Sequence, residues 1–170
     1  MPDQPRRKSY LNIGGHPLHA LGVPVPIGFY VVAFLAAVVS LRHPKDKFWP
    51  RAWRLAGTAA VVTSGGAAMV GLVDFLTLVR TPGARKVGLA HMFLNSTALG
   101  MQVWALSRGQ DDGRMRFKLQ SPVMALVSAA GFAGGDLTYR HRIGVFGRSN
   151  RNRRGRKTRS NASYYVPATD

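Results

Sequence analysis

The chain has no cysteine and no glutamate: all seven of its acids are aspartate, set against 24 Lys and Arg in 170 residues. The missing thiol excludes a disulfide framework, a thiolate zinc site, a Cys-ligated iron–sulfur cluster and a Cys nucleophile. The missing Glu excludes every mechanism that needs one. Phosphate-binding loops are also absent, because Gly14-Gly15 and Gly134-Gly135 lack the required spacing and a following Lys-Ser/Thr. A hydrolase or a kinase therefore has no support, and the chain reads as a non-enzyme rather than an enzyme.

Charge itself is missing from long stretches. Residues 18–41, 55–73 and 87–107 carry no Asp, Lys or Arg, and residues 119–135 form a shorter run of the same kind. The net charge of +17 and the mean hydropathy of -0.04 are thus averages over very different parts. A helix needs about 20 apolar residues to cross about 30 Å of hydrocarbon. The helices of a soluble bundle would show polar residues every few positions, and these stretches are apolar all round. The first run is also longer than the apolar core of a cleaved signal peptide, about 7–15 residues. The expected fold is all-α, an integral membrane four-helix bundle with spans over about 18–41, 55–79, 87–107 and 119–139. These lie in a transmembrane domain over 13–145, after a basic segment over 1–12 and before a disordered basic tail over 146–170.

The connections are basic, and Trp49, Trp53 and Trp104 fall near one membrane face as an aromatic belt would. Fifteen Lys and Arg lie on the side of the termini against nine on the other, which places both termini in the cytoplasm of a cell-membrane protein. Counting only the start of the tail makes the two sides equal. The tail itself suits anionic lipid, and nucleic acid is the poorer match.

Helices in lipid approach through small residues. Ala60, Ser64, Ala67 and Gly71 form such a line in the second span, leading to Asp74. Ala125 and Ala129 lead to Asp136 in the fourth, and His91, Asn95 and Gln102 share a face of the third. Pro24 and Pro26 place the start of regular helix near themselves, leaving His16 and His19 in an extended or irregular leading segment.

Four alternating spans bring His16, His19, Asp74, His91, Asn95 and Asp136 to one membrane level. Three readings stay open. The groups satisfy one another and nearby Arg residues, since buried charges are paired and an Asp at a helix C-terminus opposes the macrodipole. They hold a cofactor, haem b or a first-row metal, for which imidazoles on facing helices are suitable ligands. They form a proton or small-ligand path. A small transporter would need a homo-oligomer, because one four-helix unit leaves little room for a pathway.

Taken together, Ile13-Gly14-Gly15-His16-Pro17-Leu18-His19, Pro24-Val25-Pro26-Ile27-Gly28, Trp49 or Trp53, Gly71-Leu72-Val73-Asp74-Phe75, His91 with Asn95, and Gly134-Gly135-Asp136-Leu137-Thr138-Tyr139-Arg140-His141 form a pattern. It resembles that of the bacterial membrane proteins catalogued as domain of unknown function 2231, over about residues 13 to 145. Ala20 stands where that family usually has a proline, and Asp136 where it usually has Glu. The resemblance implies four spans and supplies no activity. Some relatives are joined to Rieske-type iron–sulfur domains, which implies a redox partner protein. The resulting expectation is a redox-associated membrane component with a His/Asp cofactor site, the alternative being a membrane scaffold whose basic tail contacts anionic lipid or nucleic acid.

Overall fold

The computed structural model describes residues 9–14, 16–108, 112–141 and 143. The expected tail over 146–170 lies outside them. A two-residue strand, β1 (Asn12–Ile13), pairs antiparallel with β2 (His16–Pro17), Ile13 facing His16. Gly14, at φ 58°, takes the left-handed conformation that the tight turn between them needs. A single helical turn, α1 (Leu18–Gly22), follows and runs into α2 (Pro24–Arg42). His19 therefore lies on a helix, against the expectation of an extended or irregular segment, while His16 is in the strand. The break at Val23 falls where Pro24 and Pro26 remove two consecutive-turn N–H donors.

Three long helices complete the fold: α3 (Phe48–Leu78), α4 (Pro82–Ser107) and α5 (Gly113–Tyr139). Each sequence neighbour packs on the next and α5 returns to α2, closing a four-membered ring of helices. The pairs α2–α3 and α4–α5 are the most intimate, and α3–α4 is the loosest. Helices α3 and α5 begin earlier than the uncharged runs. The Asp46 carboxylate accepts from the Phe48 N–H at 2.8 Å, and that of Asp112 accepts from the Arg114 N–H at 3.0 Å. Each Asp satisfies a free donor at a helix start, so Arg51, Arg54, Arg114 and Lys118 are helical rather than in loops. Pro122 lies inside α5 and leaves one carbonyl of the preceding turn without its usual donor.

The interior is made of small and polar side chains. Ala33, Ala36, Ala37, Ala56 and Ala105 surround Trp53 near one end, and Tyr30, Ala60, Ala98, Val123 and Val127 fill the middle. The large apolar residues point outward: Leu35 on α2, Leu55 and Met69 on α3, Phe93 on α4, Phe132 on α5. Trp53 is 1% exposed, so it belongs to the core and not to a surface belt. Trp104 is exposed, with the Arg108 guanidinium 5.4 Å over its ring. Along α5 the buried line is Arg116, Gln120, Val123, Val127 and Ala130, whereas Ala125 and Ala129 are exposed on the opposite side. The stripe traced back from Asp136 was thus half a turn out of phase, because the helix packs through the line leading to Gly134.

By length and composition, two stretches among the described residues are fit to cross a membrane, Leu18–Arg42 and Phe48–Leu78. Helices α4 and α5 are 26 and 27 residues long but carry more polar groups in their inward stripes.

Candidate functional site

Two histidines are held in the same way on two different helix pairs. His19 of α1 reaches α3, where its Nδ1 lies 2.9 Å from the Ala67 carbonyl oxygen. His91 of α4 reaches α5, with Nδ1 2.8 Å from the Ala130 carbonyl oxygen. A carbonyl only accepts, so in both rings Nδ1 carries the proton, and in the matching neutral tautomer the lone pair lies at Nε2. Each ring also rests on a glycine four residues beyond its acceptor. A Cβ on Gly71 would come within 2.7 Å of the His19 ring, and one on Gly134 within 3.0 Å of the His91 ring. The two rings meet edge to face, centres 6.3 Å apart and planes at 89°.

Asn95, one turn beyond His91, directs its Nδ2 to His91 Nε2 at 3.2 Å and to the His91 carbonyl at 2.9 Å. The two carboxylates find partners of their own. The Ser9 hydroxyl donates to Oδ1 of buried Asp74 at 2.5 Å, tying the N-terminal segment to the end of α3. Asp136 has His141 Nε2 at 3.6 Å and Arg140 at 4.0 Å. His16 is exposed on β2. Of the six expected site residues, the ring contact joins His19 to His91 and a hydrogen bond adds Asn95. Asp74 and Asp136 are engaged with other groups. Among the described residues no cluster of three or more His, Asp or Glu side chains is placed to hold a metal ion.

The profile of a family described as predicted membrane protein, domain of unknown function 2231, matches residues 15–147. The chain belongs to this family. No curated protein and no solved structure matches it. The family match takes in both histidine latches, the Ser9-bound Asp74, and Asp136, and it ends where the basic tail begins. Membership makes this a predicted membrane protein, in keeping with its outward-facing large apolar side chains.

This family member has a second polar constellation, at the opposite end of the bundle, that the sequence reading did not assemble. The Trp53 indole N–H donates to Gln120 Oε1 at 2.8 Å, and Gln120 Nε2 donates to Gln102 Oε1 at 2.9 Å. All three side chains are fully buried. Arg116 is 1% exposed, and its Nε lies 3.4 Å from Ser40 Oγ at the end of α2. An arginine there complements the partial negative charge of the helix C-terminus. The 4–3 spacing of Arg116, Gln120, Val123, Val127, Ala130 and Gly134 marks this face in the sequence, but Arg116 lies outside the uncharged run that delimits the expected span.

Proposed function

We propose that this is a multi-pass protein of the cell membrane, crossing it four times with both termini in the cytoplasm, and that it is a redox-associated component whose His19 and His91 imidazoles hold a metal centre. Four spans are supported by the large apolar side chains that every long helix turns outward, Leu35, Met69, Phe93 and Phe132 among them, around an interior rich in Ala. Lipid gives helices no hydrophobic reason to associate, and close packing of small residues takes its place. Exposed hydroxyls on the two less apolar helices are satisfied within them, Thr97 by the Phe93 carbonyl and Ser128 by the Met124 carbonyl. In hydrocarbon a polar group needs such an internal partner.

The observation that carries the metal reading is the pair of Nδ1–H to carbonyl bonds. Metal-binding histidines are characteristically fixed through the nitrogen that does not bind the metal. His19 and His91 would hold the metal through Nε2, their ring centres lying 6.3 Å apart, and the metal would supply one-electron chemistry. Two protein ligands suffice for haem iron, whose porphyrin supplies the rest, and for two-coordinate copper(I), which accepts imidazole. A metal at His91 Nε2 would displace Asn95 Nδ2 from it. The shared chemistry is a redox-active metal that takes imidazole ligands.

Protein purified from cells supplied with haem and copper is expected to carry one equivalent of either, read as a Soret band or by metal analysis. His91→Ala and His19→Ala should each abolish it, and His141→Ala should leave it intact. Colourless protein free of iron and copper would sink the metal reading.

A further inference from the structure

The inward stripe of α4 runs Ala84, Gly88, His91, Asn95, Ala98, Gln102, Ala105, a regular 4–3 spacing that places all seven on one face. Five of them are buried and His91 is half-buried, yet Asn95, in the middle of that face, is exposed. The facing stripe of α3 behaves alike: Trp53, Gly57 and Ala60 are buried and so is Asp74, while Ser64, Ala67 and Gly71 between them are only partly covered. Helices α3 and α4 meet closely at two places. Near their connecting loop the Phe75 ring lies on Gly88, where a Cβ would come within 2.7 Å, and at the far end Gln102 Nε2 lies on Gly57, where it would come within 2.6 Å. From Gly88 to Gln102 is about 21 Å of helix at 1.5 Å per residue. Between these contacts the two stripes are less covered than at their ends, and this α3–α4 window is bordered by the His19 and His91 rings, Asn95 and Ser64.

On the four-span reading, on which this inference rests, the window opens to lipid and not to water. Both contacts of Asn95 Nδ2 return to its own helix, leaving Oδ1 an acceptor with no donor among the described residues. An unpaired carbonyl at that depth is costly. Its complement is a molecule that arrives through the membrane and brings a hydroxyl, and the edge of the imidazole pair favours a flat aromatic ring. The geometry points to a lipid-soluble quinol bound in the α3–α4 window, its hydroxyl donating to Asn95 Oδ1 beside His91.

The full chain in phosphatidylcholine nanodiscs, titrated calorimetrically with decylubiquinol against empty nanodiscs, tests this. Saturable binding is expected, at least tenfold weaker in Asn95→Leu and unchanged in Ser96→Leu, one position round the helix. Each variant is first required to match the parent in helical circular dichroism and elution volume, with Asn95→Ser taking the place of Asn95→Leu if that one does not fold. Absence of saturable binding, equal binding by the Asn95 variant, or equal binding of decanol overturns the assignment. Oxidative crosslinking of Asn95→Cys into a dimer also overturns it, because a second copy then covers the window. Protein from cells starved of haem and copper should lack the metal and keep quinol binding, and Asn95→Leu should keep the metal and lose quinol binding, so either reading can fail without the other.

Discussion

Trp53→Ala is expected to be the most damaging core truncation in the bundle, lowering its stability by about 3–5 kcal/mol. The side chain is 1% exposed among Ala33, Ala36, Ala37, Ala56 and Ala105, none of which can extend to refill the space. Removal also takes the indole N–H from Gln120 Oε1, stranding a buried acceptor in a chain of amides that ends at Gln102. Trp53→Phe retains much of the volume and loses that hydrogen bond, which sets its cost at about 1–3 kcal/mol. Reversible unfolding in mixed detergent micelles, followed by circular dichroism, separates the two. If Trp53→Ala unfolds within 1 kcal/mol of the parent, in the sense of the same cost scale, this end of the bundle is not the packed core described above.

Gly71→Ala should release His19 from its helix, and Gly66→Ala, five residues earlier, should not. The new methyl on Gly71 would lie 2.7 Å from the His19 ring, inside any tolerable contact, so the ring must leave and the bond to the Ala67 carbonyl breaks with it. Overpacking of this kind costs about 1–3 kcal/mol, and on the metal reading the site is lost as well. Gly66 has nothing within 4 Å of its added Cβ. Alanine there gains up to about 1 kcal/mol through helix propensity. The sign difference between two Gly→Ala changes on one helix is the measurement. Equal effects from both would show that the glycine seat has no part in holding His19.

The sequence made the helices visible for a physical reason: each long helix carries an uncharged run, and the first two are apolar enough to cross a membrane. The ends were less legible. Long basic side chains extend along a helix and reach polar surroundings, so Arg51, Arg54, Arg114 and Lys118 look like loop residues although they are helical. On α3 the ends of the expected line, Ala60 and Asp74, are buried, while Ser64, Ala67 and Gly71 between them are only partly covered. On α5 the packing stripe leads to Gly134 and not to Asp136, whose neighbours are His141 and Arg140. Both aspartates have a donor or cation beside them, Ser9 at Asp74 and Arg140 at Asp136. That His19 and His91 approach one another followed from alternation of spans. Their glycine seats did not, since a ring resting on a backbone leaves no mark in composition or spacing.

The placement of the two histidine latches has a consequence for how the chain is made. His19 closes onto α3, Asp74 is satisfied by Ser9, and His91 closes onto α5, so at this face every such bond lies within one half of the molecule. The first hairpin can therefore complete its polar bonding here before the second has been translated. The opposite end works the other way: Trp53 to Gln120 and Ser40 to Arg116 both join one half to the other. The two ends of the bundle thus differ in kind, one completing each hairpin within itself and the other joining the finished hairpins.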